Sequence, residues 1–338
     1  MAHEIDQTTG RNAIAYVGAT PWHGLGQKLS PGMGMDVWSK EAGLNYQVLR
    51  SPVCYSSDND MKSFKGRDVL YRSDTGAPLS VVSKGYNIVQ PGEILDFFGR
   101  LSEIGGFELE VAGVLSGGKR VWGLAKVGEG APIVGQDIVK PYVLFATSYD
   151  GTMATVAKFT AIRVVCSNTI TMAVGRGFDS AGKIENDTED RAVSTLVRIP
   201  HSRKINTDEI RQQLGIVADV YERWMINTRI LAEQPMNASE ADKFVFKLID
   251  SITPTPRPGR KLPDLRDSKS YGRILALFDG GLMGADLAGV KNKWVMLNAV
   301  SEFVDHERGN SADTRLTGAW FGAGDALKTK AYTMLTTV

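Results

Sequence analysis

Cysteine is scarce in this sequence, with only two in 338 residues, at Cys54 and Cys166. Two cysteines are too few for a disulfide framework, which excludes a small disulfide-stabilised extracellular protein. No run of about 18 apolar residues occurs, so the sequence predicts no membrane span. The polar N-terminus also lacks the apolar centre of a signal peptide. We therefore expect a cytoplasmic protein that makes no membrane contact.

Net charge is also nearly absent, at +1 for the whole chain. Total charge therefore gives no argument for binding to nucleic acid. The distribution is less even, because an acidic cluster at 179–190 is followed by basic clusters at 198–204 and 257–273. Such clusters are most often solvated surface, but a positive stripe is also typical of proteins that bind phosphate groups.

The common cofactor and metal motifs are missing as well. The sequence has no CxxC pair and no two histidines at zinc-binding spacing. Gly24-Leu25-Gly26 lacks the third glycine of a dinucleotide-binding loop, since Leu29 stands in that place. No phosphate-binding loop with a lysine is present. We predict no cofactor, no metal site and no catalytic residues.

Strands are predicted throughout the first half of the chain, where short stretches are rich in β-branched and aromatic residues. They cover residues 46–55, 69–72, 79–87, 107–115, 120–127, 141–149 and 152–162. Asp150-Gly151 is a two-residue hairpin signal between the last two. A helix is predicted over 92–104, because Pro91 suits a first helical turn and apolar residues recur at spacings of three and four.

Helices are predicted in the second half. Residues 207–231 carry an apolar seam at helical spacing, which packs either inside the monomer or between subunits. Shorter helices are predicted over 239–252, 268–278, 290–306 and 324–336. Prolines make 253–263 an extended loop between them.

The pattern predicts an α+β fold, with a mostly antiparallel sheet and a helix in the N-terminal half and a helical C-terminal part. We expect a sheet-containing domain over 1–175, a loop at 176–206 that is first acidic and then basic, and a helical region over 207–338.

One stretch, Thr160 to Ala173, suggests an anion site. Residues 162–165 end a strand, and Ser167-Asn168-Thr169 are residues that cap helices, so a short helix is predicted over 170–174. Amides at a helix start bind phosphate, and Arg163 and Lys158 lie nearby in sequence. In a simpler alternative, Arg163 pairs with an acid and Ser167 only caps the helix. Cys166 is expected to be a small buried residue rather than a nucleophile.

Aromatic residues accompany basic ones along the predicted strands. Such a surface can stack the bases of a single strand while cations contact its backbone, although each aromatic taken alone is more typical of a core. The aromatics are Tyr71, Tyr86, Trp122, Phe145 and Tyr149, and the basic residues are Lys84, Lys119, Arg120, Lys126 and Lys158. Trp22, beside His23, is either a packing anchor or a further base contact.

Several motifs together resemble the phage/plasmid-like protein family. They are PWHGLG at 21–26, VSKGYNIVQPGEIL at 82–95, SYDGT at 148–152, RVVCSNT at 163–169 and WVMLNAVSEFVDH at 294–306. The resemblance extends over nearly the whole chain. It implies a gene carried by phages, prophages and conjugative plasmids, often among replication and recombination genes. The resemblance does not supply an activity or catalytic residues.

We therefore hypothesise a non-enzymatic protein that binds single-stranded DNA and assists annealing or recombination for a phage or plasmid in the host bacterial cell. Its predicted nucleic-acid contacts are Arg163, Lys158, Ser167, Asn168, Lys119, Arg120, Arg203, Lys204, Trp22 and Tyr149. Assembly into a ring or filament of identical subunits would multiply weak contacts along one strand. Host or phage recombination proteins are further expected partners.

Two other functions stay open. The first is an enzyme that processes nucleic acid, such as a metal-dependent nuclease that uses carboxylates such as Asp150, or one that uses Cys166. The second is an anti-defence protein that binds a host protein.

Overall fold

A computed structural model describes most of the chain. The described residues are 5–18, 24–58, 60–104, 106–135, 137–163, 168–171, 196–204, 217–253, 264–282, 287, 289–309, 318–320 and 322–337. Within these ranges only the backbone is described at 104, 163, 168–171, 196 and 217–223. A mostly antiparallel sheet and C-terminal helices confirm the predicted α+β fold class.

The described strands form two sheets. In chain order they are β1 (Ile14–Val17), β2 (Gln27–Leu29), β3 (Val48–Ser57), β4 (Asp60–Arg72), β5 (Pro78–Ser83), β6 (Phe107–Leu115), β7 (Arg120–Val127), β8 (Ala131–Val134), β9 (Asp137–Ser148), β10 (Thr155–Arg163), β11 (Asn168–Thr171) and β12 (Leu196–Ile199). The larger sheet has the order β11-β10-β9-β7-β6-β1-β2, with β12 beside β10 and β8 beside β9. Its described pairs are antiparallel except β1 with β2.

The smaller sheet has the order β3-β4-β5 and is antiparallel. One end is anchored in the core by Val48, Leu70 and Val82, which are all buried. The other end is a long hairpin of β3 and β4, whose turn includes Asp58 at a positive φ of 54°. The sheet therefore has a packed base and an exposed tip.

The helices are short and concentrated after the sheets. They are α1 (Met35–Glu41), α2 (Pro91–Ile104), α3 (Val217–Glu233), α4 (Ala238–Asp250), α5 (Lys269–Ala276), α6 (Lys293–Glu302) and α7 (Ala323–Thr336). Single turns of tighter or wider helix occur at Ser116–Gly118, Leu265–Asp267, Leu277–Gly281 and Phe303–Glu307. The predicted helices at 92–104, 239–252, 268–278, 290–306 and 324–336 are confirmed to within a few residues.

Helix α2 packs on the larger sheet through aromatic side chains. Phe97 and Phe98 are completely buried, and the Phe97 ring lies 4.3 Å from the ring of Phe145 on β9. Gly123 on β7 makes this approach possible, because a Cβ there would come within 2.4 Å of the Phe98 ring. The helix thus depends on a missing side chain in the strand beneath it.

The apolar core is shared by the sheet and the C-terminal helices. Trp294 of α6 is fully buried, and its indole Nε1–H donates to a carboxylate oxygen of Asp137 on β9 over 2.8 Å. The predicted boundaries near 175 and 206 stay a prediction, since residues 172–195 and 205–216 lie outside the described residues.

Helix α3 shows where part of the apolar seam predicted over residues 207–231 packs. Of the predicted seam, Trp224, Thr228 and Leu231 are buried within this chain, and the Thr228 hydroxyl donates to the Trp224 carbonyl over 2.8 Å. The described part of the seam therefore packs inside the monomer. Its first part, before residue 217, lies outside the described residues.

The segment after β10 differs from the prediction. Residues 168–171 form strand β11, antiparallel to β10, with Asn168 opposite Arg163. The helix predicted to begin at residue 170 is therefore wrong, because hydrogen bonding to the edge of β10 outweighs the capping preference of the sequence. None of the helices in the described ranges combines the length and apolar character that crossing a bilayer requires.

Candidate nucleic-acid interface

A cleft of about 410 Å³ lies where the two sheets meet. One wall is the smaller sheet, with Arg67 of β4 and residues 81–83 of β5. The other wall is the tip of the β9–β10 hairpin, residues 150–154, together with Pro200 and His201 directly after β12. The cleft is formed by the ends of hairpins and by a turn. We call it the basic cleft, after Arg67 in its lining.

Two stacked rings connect the walls of the basic cleft. The Tyr86 and His201 rings lie 4.3 Å apart with an interplanar angle of 15°. The Tyr86 hydroxyl donates to the Ser148 carbonyl over 2.7 Å. Burial raises the pKa of Tyr86 well above its ordinary value, so the phenol keeps its proton and this hydrogen bond at neutral pH.

The His201 ring fixes the turn that follows β12. Its Nδ1 lies 3.1 Å from the Asn87 carbonyl oxygen, and its Nε2 lies 3.0 Å from the Met153 carbonyl oxygen. A neutral imidazole can donate to only one of these oxygens, whereas the imidazolium donates to both. In return, the Asn87 side-chain amide donates to the His201 carbonyl over 3.0 Å.

Asp150 is the acidic residue of the cleft lining. The Thr152 backbone N–H donates to its carboxylate over 3.0 Å, which stabilises the hairpin turn. Burial alone would raise the pKa of Asp150, but the hydrogen bonds from Thr152 and the positive charge of Arg120 lower it below its ordinary value. The carboxylate is therefore ionised at neutral pH and partly neutralised by Arg120, 4.0 Å away.

Four of the residues predicted to bind nucleic acid belong to chain segments that adjoin this cleft. Arg120 donates to the Thr152 hydroxyl over 3.0 Å. Lys119 precedes it, and its carbonyl accepts from the backbone N–H of Tyr149, next to Asp150. Arg203 and Lys204 follow His201 and are exposed. The β9–β10 hairpin tip and the turn after β12, which adjoin these cations, are distant in sequence but line the same cleft.

Arg67 is a cleft residue that the sequence reasoning missed. It is exposed and lines the cleft from β4. Within the described part of the chain, its side chain has no acidic partner, and the same holds for Lys119, Arg203 and Lys204. The run Lys62, Lys65, Arg67 was a signal in the sequence, but these residues precede the predicted strand at 69–72.

Lys158 requires a correction. Its side chain is 8% exposed and forms an ion pair with Asp325 of α7. Burial lowers its pKa, and the nearby Asp325 carboxylate opposes that shift without cancelling it. A phosphate group cannot reach an ammonium in this position, so the predicted contact is wrong for this structure.

Tyr149 requires a similar correction. It has no exposed surface, and its hydroxyl donates to the Val89 carbonyl over 2.9 Å. A base cannot stack on a ring that lies wholly inside the protein. Trp122 and Phe145 are also buried and belong to the core. Tyr71 and Tyr86 are partly exposed.

The remaining predicted contacts are not described as side chains. Trp22 and Ser167 lie outside the described residues, and only the backbone of Arg163 and Asn168 is described. That backbone belongs to paired strands rather than to a helix start. The predicted anion site on helical amides at Asn168 is therefore wrong.

A second concavity, of about 470 Å³, has a different character. It lies beside Trp38, and its rim carries two acids, Glu108 and Glu110, together with Lys126 and Lys140. Lys126 contacts Glu108 at 3.4 Å. Acidic groups paired in this way make the site less suited to a polyanion than the basic cleft.

Within the described ranges, no group of three or more His, Cys, Asp or Glu side chains is arranged to hold a metal ion.

One known family model matches this chain. The model of a domain of unknown function, DUF932, matches residues 78–321. The chain belongs to the DUF932 family. No curated protein and no solved structure matched it. The DUF932 region contains most of the basic cleft, from β5 through the turn after β12, but begins after Arg67 of β4.

Proposed function

We propose that this DUF932 protein binds single-stranded DNA in the basic cleft and assists annealing or recombination. The observation that carries the proposal is the exposed Arg67 in the cleft lining, with exposed Lys119, Arg203 and Lys204 in chain segments that adjoin the cleft. None of the four has an acidic partner in the described chain, and cations of this kind attract a phosphate backbone and release its counterions.

The aromatic residues favour a single strand over a duplex. The half-buried Tyr86 ring, which is stacked on His201, lines the cleft. Unpaired bases can stack on such a ring, whereas the bases of a duplex are already stacked on each other. Stacking of this kind is tolerant of sequence, which suits a protein that handles many DNA sequences.

The biological setting is part of the proposal. The resemblance to phage/plasmid-like proteins supports a role for a mobile element in the cytoplasm of its bacterial host. There the protein would act with recombination proteins of the host or phage. A ring or filament of identical subunits would multiply the contacts of one small cleft along a strand.

Fluorescence anisotropy with a labelled single-stranded oligonucleotide tests the binding. We expect an affinity that falls linearly on a logarithmic plot against salt concentration. A triple variant, Arg67→Ala with Arg203→Ala and Lys204→Ala, should lower the magnitude of that slope by about 2, since each lost phosphate contact on a single strand removes about 0.7.

The matched control is Lys243→Ala with Lys247→Ala. Both lysines are exposed on α4, outside the cleft, and their loss should leave the slope unchanged. Absence of binding by the folded wild-type protein at low salt would remove the proposal. Equal slopes for the triple variant and wild type would remove the assigned site.

A metal-dependent nuclease is the second candidate, because the ionised Asp150 carboxylate faces the same cleft. Incubation of labelled single strands with Mg²⁺ or Mn²⁺ distinguishes the two functions. Cleavage by wild type that disappears in Asp150→Asn, with binding retained, would establish the nuclease. Binding without cleavage supports the first proposal.

A further inference from the structure

The outer part of the β3–β4 hairpin projects from the fold as an arm. From residue 53 to residue 67, which we call the hairpin arm, no described residue is buried. The core of the smaller sheet starts only beyond it, at Asp68 and Leu70. Its exposed large side chains include Tyr55, Met61 and Phe64, which are 49%, 72% and 53% exposed.

The two faces of the arm differ in chemistry. Tyr55 is the register partner of Lys62, so their side chains lie next to each other on one face. Phe64 is two residues further along β4 and shares this face. Met61 and its partner Ser56 lie on the opposite face. One face therefore presents two aromatic rings beside a cation.

The arm leads directly into the basic cleft. Strand β4 continues through Lys65 and Gly66 to Arg67, which lines the cleft. Gly66 has a positive φ of 87°, and its carbonyl accepts from the Lys84 backbone N–H over 3.4 Å. Lys62 therefore lies beside the exposed rings, and Arg67 stands where the strand reaches the cleft.

We propose that the hairpin arm extends the binding path for single-stranded DNA, with bases stacked on Tyr55 and Phe64 and a phosphate held by Lys62 on the same face. This inference rests on the proposed function of the cleft. Charge complementarity selects the occupant, because two exposed rings beside a cation match the bases and phosphates of a single strand. The arm precedes residue 78, where the family match begins.

The central experiment compares three variants in anisotropy titrations. Tyr55→Ala with Phe64→Ala should weaken binding about tenfold or more, since stacking accounts for a factor of this order per base. Its salt slope should equal that of wild type, because no phosphate contact is lost. Lys62→Ala should instead lower the magnitude of the slope by about 0.7, the value of one lost phosphate contact.

Met61→Ala is the matched control, since Met61 is exposed on the opposite face of the same strand, and its affinity should equal that of wild type. Far-ultraviolet circular dichroism checks that each variant is folded. If wild type binds and the aromatic variant binds equally well, the arm inference is wrong while the cleft proposal stands. If wild type does not bind, the proposed function has failed first.

A covalent map gives an independent test. Oligonucleotides with 5-iodouracil should crosslink under ultraviolet light to peptides that contain Tyr55 or Phe64. Crosslinks confined to residues 81–86 and 200–204 would overturn the arm inference and support the cleft alone. Loss of self-association in the aromatic variant by sedimentation, with unchanged DNA affinity, would assign the arm to subunit contact and would also overturn it.

Discussion

Cations in the interior and cations at the basic cleft belong to the same residue types but have opposite surroundings. Inside, Arg72 is 1% exposed and forms ion pairs with Asp6 and Asp74. At the cleft, Arg67 and Arg203 are exposed and have no acidic partner among the described residues. Only the second group can exchange its solvent and counterions for a phosphate backbone.

The interior group has a structural role. Arg72 also lies over the Tyr46 ring, 4.1 Å from its centre, and Lys328 of α7 pairs with Asp305 over 2.8 Å. In a buried ion pair each charge compensates the other, and removing one partner lowers the free energy of unfolding because a buried charge is left without its counterpart. The comparison teaches that exposure and pairing, rather than residue type, decide which cations can serve a ligand.

The largest effect that we expect for the interior is unfolding of the protein at alkaline pH. Burial raises the pKa of Tyr46, Tyr142 and Tyr149 above the ordinary value near 10, and that of Tyr332 to about 12. The folded state therefore binds these protons more tightly than the unfolded state, so stability is fully present below pH 10 and is lost as pH rises above it. Tyrosinate absorbance near 295 nm should rise together with unfolding detected by circular dichroism. Full tyrosinate absorbance in a still folded protein would contradict the burial.

Arg72→Ala should cause the next largest effect. It leaves the buried Asp6 carboxylate without its cation, and such a loss destabilises by about 3–5 kcal/mol. Urea unfolding measures the change in free energy. Provided the variant is folded at low temperature, its affinity for an oligonucleotide should equal that of wild type. A large loss of affinity in the folded variant would break the distinction between interior and cleft.

Lys158→Ala tests the same difference between interior and cleft cations, at a residue that the sequence analysis predicted to contact nucleic acid. We expect a loss of about 3 kcal/mol in the free energy of unfolding, from the lost ion pair with Asp325 and from the cavity. The slope of affinity against salt should not change. A smaller slope, with little loss of stability, would instead return Lys158 to the DNA-binding surface.

Arg203→Ala with Lys204→Ala should have the smallest effect on stability, within about 0.5 kcal/mol, because both side chains are exposed and neither has an acidic partner among the described residues. Urea unfolding of this variant beside wild type measures it. Destabilisation by 2 kcal/mol or more would show that these residues support the fold, as the interior cations do.

Much of the fold could be predicted from the sequence because its signals are local. Pro91 and the apolar spacing after it specify α2, and Asp150-Gly151 specifies the turn of the β9–β10 hairpin. The strand at 168–171 could not be predicted from its local sequence. Ser167, Asn168 and Thr169 favour a helix cap, but the unpaired edge of β10 offers hydrogen bonds to a strand, and that edge is created by distant residues.

The candidate site was harder to predict, because burial is a property of the assembled fold. Lys158 and Lys119 both lie on or beside predicted strands, but only Lys158 faces α7, whose Asp325 is far away in sequence. Tyr149 and Tyr86 are both strand-side aromatics, but only Tyr149 is enclosed. Arg67 was not predicted as a strand residue, because the predicted strand covered only residues 69–72, whereas β4 begins at Asp60.

Hydrogen–deuterium exchange with and without a saturating single-stranded oligonucleotide tests the central claim most directly. We predict slower exchange of backbone amides at residues 81–87, 150–154 and 198–204, which surround the basic cleft, and no change around Lys158 and Asp325. Protection around that interior pair with none at the cleft, or no protection anywhere, would contradict the account.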